Sequence, residues 1–327
     1  MDMINWGIIG CGNVTEFKSG PAFSKVTHSS LIAVMRRNKE KAQDYAHRHG
    51  VPKWYDDAEL LIHDPDVNAI YIATPPSSHE EYTLRALKAG IPVYVEKPVA
   101  MDAASALRMY HASLEYGTPL VVAHYRRGLP LFNSIKEMLA KKVIGEVRFV
   151  NMQLLQPLNP GMVAQTEENW RLNPAISGGG LFHDLAPHQL DLMIWFFGQV
   201  RSSHGFSLNQ SQTSPSDDFV SGEMVFESGI PFKGLWSFNV PEELSTETCE
   251  IVGTEGKLTF SIFSNFYELQ IKGKKNRVEF ELPPHIQQPM IDQVVQYFRG
   301  KRPNPCDGTQ GVEVMKIIDS FTKNNQP

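Results

Sequence analysis

The chain has 327 residues, 42% of them apolar and 20% charged, and a formal net charge of −5. That length exceeds what one ordinary core organises, so two domains are expected. The slightly acidic balance, without a basic block, argues against nucleic acid or an anionic membrane as partner, and no apolar run approaches the roughly 20 residues that span a bilayer.

The first residues, Met1-Asp2-Met3-Ile4-Asn5-Trp6, lack a basic segment and lead straight into a strand, which argues against a signal peptide. Cys11, Cys249 and Cys306 are widely spaced and form no CxxC, so they read as free thiols of a reduced, cytoplasmic protein. Residues 4–9 are a short apolar strand, followed at once by Gly10-Cys11-Gly12-Asn13-Val14-Thr15 and a helix. Strand, glycine turn and helix in that order give a GxGxxG pattern its meaning. Gly10 allows the tight turn, Gly12 lets the backbone approach a pyrophosphate, and Asn13 and Val14 open the helix at its phosphate-binding end. Thr15 stands where a third glycine is usual, which predicts slightly wider helix–strand packing. A plain strand-to-helix turn is the competing reading of this stretch.

The strand at 31–35 ends in Arg36-Arg37-Asn38. An acid here would bind the ribose 2′-hydroxyl of NAD, whereas two guanidinium groups suit a 2′-phosphate, so NADP is expected to be preferred over NAD. Two ordinary surface arginines would look the same. Helices over 39–49 and 56–61 lead to a strand at 69–73 and then to Thr74-Pro75-Pro76-Ser77-Ser78-His79. The prolines hold that loop extended, so Thr74 and Pro75 can present polar groups to a cofactor. A helix over 80–89 returns the chain to Val93-Tyr94-Val95 and Glu96-Lys97-Pro98. Lys97 thus follows the carboxyl end of a buried strand, the edge where open α/β sheets bind ligands. On its own the tripeptide reads equally as a solvated lysine in a turn. Alternating strands and helices predict a doubly wound parallel sheet for residues 1–123.

Gly10-Cys11-Gly12, Ala73-Thr74-Pro75-Pro76 with His79, and Glu96-Lys97-Pro98 resemble, in order and spacing, the glucose-fructose oxidoreductase/inositol dehydrogenase (Gfo/Idh/MocA) family of NAD(P)-dependent oxidoreductases. The resemblance implies that Thr74, Pro75, His79, Glu96 and Lys97 border the cofactor. It also implies that Lys97 contacts both nicotinamide ribose and substrate hydroxyl, and that the bond before Pro98 is cis.

A further strand at 120–123 is followed by His124-Tyr125-Arg126-Arg127, which opens the second domain, 124–327. The family carries Asn or His with arginines here. Tyr125 departs from the commoner Asn, so only Arg127 is assigned to substrate, with pairing to junction carboxylates as the alternative. A helix over 129–142 and a strand over 147–155 precede a Pro, Asn and Gly-rich loop at 156–168, long enough for a mobile flap. Trp170 and Arg171 then offer a flat apolar face and a fork of donors to a carbohydrate-like ligand, or else pack in the core. Asp184 and His188 stand one helical turn apart and project from one face. That spacing suits an acid orienting an imidazole that accepts a proton, and equally two metal ligands, although no third ligand stands at motif spacing. Gly178-Gly179-Gly180 with Asp184, His188 and Asp191 resembles the family's second-domain signature, which implies that Asp184 and His188 work with the lysine. His183 has no place in it.

From 201 on, the pattern is of short strands with hairpin signals between them, predicting a large open, mostly antiparallel sheet in an α+β domain. Phe232, Gly234, Trp236 and Phe238 alternate along one strand and predict a sticky uncovered face through which a homodimer or homotetramer forms. Helices over 286–299 and 309–322 are expected to pack back on the first domain. The whole implies hydride transfer between nicotinamide and a secondary alcohol or ketone of a sugar or cyclitol. The alternatives are a glycoside-cleaving enzyme that keeps its NAD, a non-catalytic NADP-binding regulator, and a metal-dependent isomerase.

Overall fold

The computed structural model describes residues 1–161, 163 and 169–323. The chain forms two compact units, Met1–Gly128 with Pro283–Val312, and Leu129–Leu282 with Glu313–Pro327. Residues 124–128 and the segment Pro283–Val312 therefore belong with the first unit, which corrects the expected border after 123.

The first unit alternates strand and helix: β1 (Ile4–Ile9), α1 (Asn13–Phe17), α2 (Gly20–Phe23), β2 (Ser29–Met35), α3 (Lys39–His49), β3 (Lys53–Tyr55), α4 (Ala58–Ile62), β4 (Ala69–Ile72), α5 (His79–Lys88), β5 (Val93–Val95), α6 (Ala103–Glu115) and β6 (Leu120–Val122). Its six strands are all parallel, in the order β3-β2-β1-β4-β5-β6. Such a sheet is covered on both faces, which is why β4, Ala69-Ile70-Tyr71-Ile72, is apolar without interruption and fully buried. Chain order reverses between β1 and β4, and a crevice opens beyond the strand ends at such a reversal. Helix α6 fills a stretch to which the sequence reading gave no element. The Asp102 carboxylate starts it by accepting from the Ser105 N–H at 2.8 Å.

The second unit contains α7 (Pro130–Ala140), β7 (Val147–Leu155), α8 (Pro174–Ser177), α9 (Leu181–Phe197) and the strands β8 (Val200–Leu208), β9 (Phe219–Phe226), β10 (Pro231–Ser237), β11 (Thr246–Gly253), β12 (Gly256–Phe260), β13 (Phe266–Ile271) and β14 (Lys274–Glu279). They pair as β14-β13-β12-β11-β7-β10-β9-β8, antiparallel throughout except for β7 against β10. Phe232, Trp236 and Phe238 do not form the open face expected of them: all three are buried, and Trp236 meets the edge of Phe182 on α9 at 5.1 Å. Strand alternation puts their neighbours on the other side. Phe149, Phe206 and Leu208 are the partly exposed apolar residues there, with Lys233 and Glu223 between them.

After β14 come α10 (Gln288–Phe298), which packs in the first unit with Phe298 against Trp6 at 5.7 Å, and α11 (Gly308–Thr322), whose Phe321 meets Trp236 at 6.0 Å in the second. Of the two closing helices expected to join the first unit, α10 does so, whereas most of α11 belongs to the second. Among the described residues no helix is long and apolar enough to cross a membrane.

Candidate active site

In the first unit three loops leave the carboxyl ends of adjacent strands β1, β4 and β5. Gly10 turns the first of them with φ +97°, and a Cβ there would stand 2.7 Å from the Thr74 backbone nitrogen. Only glycine fits, because the first loop rests directly on the second. Gly12 is different: a Cβ on it would meet nothing nearer than the Gly10 carbonyl at 3.9 Å. The cradle beside Gly12, Asn13 and Val14 is therefore open, as a pyrophosphate lying on it requires. Thr15, where a third glycine is usual, is bonded within its own turn. It is buried, donates to the Gly12 carbonyl at 2.8 Å, and accepts on its own carbonyl from Tyr45. Close packing passes instead to Gly20, where a Cβ would overlap the Thr15 carbonyl and the Tyr45 hydroxyl.

Arg36 and Arg37 end β2 with different fates. Arg36 is half-buried and its Nη1 donates to the Cys11 carbonyl at 3.2 Å, so it leans over the glycine turn, whereas Arg37 is exposed. Cys11 itself is buried, which pushes its thiol up to about 11 and leaves it a packing residue. In the second loop Thr74 accepts from the Ser78 hydroxyl at 2.8 Å, and Pro75 holds the backbone extended. His79 joins the second loop to the third. Its Nε2 lies 2.7 Å from the Thr74 carbonyl and its Nδ1 2.9 Å from the Pro98 carbonyl. Donating to both would need a doubly protonated ring; burial opposes that charge and lowers the pKa.

The third loop carries Glu96, Lys97 and Pro98, and the Lys97–Pro98 bond is cis, as the resemblance implied. Lys97 is half-buried at the end of β5, and Glu96 is buried beneath it. Arg127 is buried in the first unit and donates to the Gln310 side chain at 2.8 Å and the Pro305 carbonyl at 3.3 Å. Two of its partners are thus an amide and a carbonyl.

In the second unit Asp184 and His188 lie on α9, and the chain brings Arg171 and Trp170 to the same helix. Arg171 Nε donates to Asp184 Oδ2 at 2.9 Å, and its guanidinium lies 4.4 Å from the Trp170 ring centre. The acid expected to orient His188 is therefore held by a guanidinium of its own. His188 is buried, its ring edge-on to Phe263 at 6.1 Å. Phe263 escaped the sequence reading. The Glu247 carboxylate fixes its loop by accepting from the Ile262 N–H at 2.7 Å, while Gln189, next to His188, donates to Glu247 at 2.9 Å. His183 has a structural explanation: its ring occupies the space over Gly179, where a Cβ would overlap it, so the glycine run serves the histidine. Burial pushes its pKa down to about 4. In the expected flap at 156–168, residues 162 and 164–168 lie outside the described residues.

An open glycine turn at the reversal of a parallel sheet, with a lysine after a nearby strand end, is an arrangement that fits a dinucleotide-dependent oxidoreductase. Comparison with known proteins gives the same class. Residues 4–124 match the profile of the oxidoreductase family with NAD-binding Rossmann fold, and residues 132–259 that of the GFO/IDH/MocA C-terminal domain. The chain is 46% identical to Oxidoreductase P35 of Formosa agariphila, over 97% of this chain and 98% of that one. It is 28% identical to 1,5-anhydro-D-fructose reductase of Ensifer adhaerens, over 78% and 75%. Its fold superposes on the aldose-aldose oxidoreductase of Caulobacter crescentus, crystallised with glycerol, with a TM-score of 0.85 at 21% identity, covering 97% and 96% of the two chains. The chain belongs to the Gfo/Idh/MocA family of NAD(P)-dependent oxidoreductases, whose characterised members include sugar oxidoreductases.

Proposed function

We propose that this enzyme interconverts a secondary alcohol and a ketone on a sugar or cyclitol-like substrate, with NADP preferred to NAD, as a homodimer or homotetramer assembled through the open sheet face. The observation that carries the reading is the succession of three loops on adjacent strand ends, cradle, Thr74-Pro75 and Lys97, in one unit. Gly10, Gly12, Asn13 and Val14 hold the pyrophosphate, Arg36 and Arg37 the 2′-phosphate, and Thr74, Pro75, His79 and Glu96 shape the nicotinamide end. Hydride chemistry is supplied by the nicotinamide when bound. Lys97 as an ammonium holds and polarises the substrate oxygen, and His188, set by Asp184, exchanges the hydroxyl proton. Trp170 and Arg171 face the sugar, one with an apolar ring and the other with donors. The anhydrofructose reductase relative supports a sugar ketone as the substrate class.

The test is a panel of sugars, inositols and their keto forms, assayed with NADPH and NADP by dinucleotide absorbance on wild type and Lys97→Ala. The expected loss in kcat is at least about 100-fold, the lower range for a positioned acid/base group, with dinucleotide affinity nearly unchanged. A Lys97→Ala enzyme that keeps most of its turnover removes the assigned role.

A further inference from the structure

Lys97 is reached by a buried polar chain that ends far along the sequence. Glu96 Oε1 accepts from the Tyr71 hydroxyl at 2.5 Å and from the Gln287 amide at 2.8 Å, and Oε2 accepts from the Lys97 backbone N–H at 3.2 Å. Glu96 is 6% exposed, Gln287 1% and Tyr71 0%. All three partners are donors, as an acceptor-only carboxylate requires. Gln287 is itself fixed, its N–H donating to the Lys18 carbonyl at 3.2 Å, two residues after His285 reaches the Phe17 carbonyl at 2.7 Å. The segment ahead of α10 therefore fastens the far end of α1 and, through Gln287, the carboxylate under Lys97.

The geometry points to Gln287 and Tyr71 as positioning residues for Lys97. They hold the Glu96 carboxylate, and that carboxylate fixes the backbone from which the lysine side chain leaves β5. Tyr71 is on the neighbouring strand β4, so the Glu96 carboxylate is held from the sheet and from the returning segment at once. Without the Gln287 donor, Glu96 keeps a desolvated oxygen with one donor fewer, and the strand end gains freedom to satisfy it otherwise. A lysine displaced by even an ångström loses its alignment with a reacting oxygen.

This inference rests on the role given to Lys97 above, so its experiment has a readout that needs no substrate. Amide hydrogen exchange is followed by NMR in the cofactor-free protein for wild type, Gln287→Met and Tyr71→Phe. The expected result is exchange at the Lys97 amide at least about 10-fold faster, with amides of β1 and β6 unchanged. With NADPH and a substrate from the panel, kcat is expected to fall about 10-fold while KM and NADPH affinity by calorimetry stay within about twofold. Exchange at Lys97 that is unchanged, or that rises equally through the whole unit, overturns the proposal. If Gln287→Met does not fold, Tyr71→Phe, which removes a single hydroxyl, decides the matter alone. Turnover retained in Lys97→Ala would instead defeat the function reading. An inactive Lys97→Ala beside a wild-type-like Gln287→Met would defeat only the positioning role.

Discussion

Arg36 leans over the glycine turn with one guanidinium nitrogen donating to Cys11, while Arg37 stays in solvent. On the proposed reading that Arg36 meets the 2′ position, its guanidinium gains far more from a phosphate than from a hydroxyl. Arg36→Asp is therefore expected to lower the ratio of kcat/KM for NADP over NAD by at least about 10-fold, the equivalent of one charge-assisted pair. Steady-state kinetics with the two dinucleotides measures it, and an unmoved ratio means that Arg36 does not choose between them. Gly10 was legible in the sequence because the backbone demands it, a turn with positive φ, and the places of Gly12 and Lys97 followed from the strands that precede them. Tyr71 and Gln287 were not. They meet Glu96 only through tertiary packing, from 25 and 191 positions away in the chain, which no local spacing encodes.

Helix α9 is entered through Gly179 because the His183 ring fills the place of its Cβ, and that burial has a consequence in pH. The folded pKa is about 4 and the unfolded value about 6.5, so the unfolded chain takes up the proton first. The contribution is present above about 6.5 and is lost as pH falls towards 4, by about 3 kcal/mol in total. Urea unfolding of wild type and His183→Leu at pH 7 and pH 4.5 checks this: wild type is expected to lose about 2–3 kcal/mol more than the variant on acidification. Equal losses would mean that the histidine takes up its proton while folded. At this scale α3 agreed with its expected bounds because both ends are marked, by the Asn38 side chain accepting from Lys41 and by Gly50 at φ +64°. Helix α6 carries the same kind of start at Asp102, but small residues, Ala103, Ala104 and Ala106, blur its apolar face. Strand β8 takes in the polar run Ser202-Ser203-His204, which carries no apolar alternation yet pairs with β9 at the sheet edge.

At the scale of the whole molecule, the proposed assembly is tested on the open face of the large sheet. Phe149, Phe206 and Leu208 are 39%, 44% and 45% exposed there, with Phe219 against Phe206 at 6.0 Å. Phe149→Glu with Phe206→Glu is expected to reduce the mass measured by light scattering to that of one chain without loss of helix signal. A wild type already monomeric, or an assembly that survives both charges, sinks this arrangement. That one sheet face is covered was legible from strand alternation, but which face was not, since Phe232 and Trp236 alternate identically in either orientation.

Pro283–Val312 follows most of the second unit in sequence, Leu129–Leu282, yet lies within the first in space. On a ribosome, then, the stretch up to Gly128 leaves the exit tunnel without Phe298 to cover Trp6 and without Gln287 to meet Glu96. The nascent dinucleotide-binding half must wait, unsealed, until translation has passed through Leu129–Leu282 of the other unit, so the first part synthesised is closed only late.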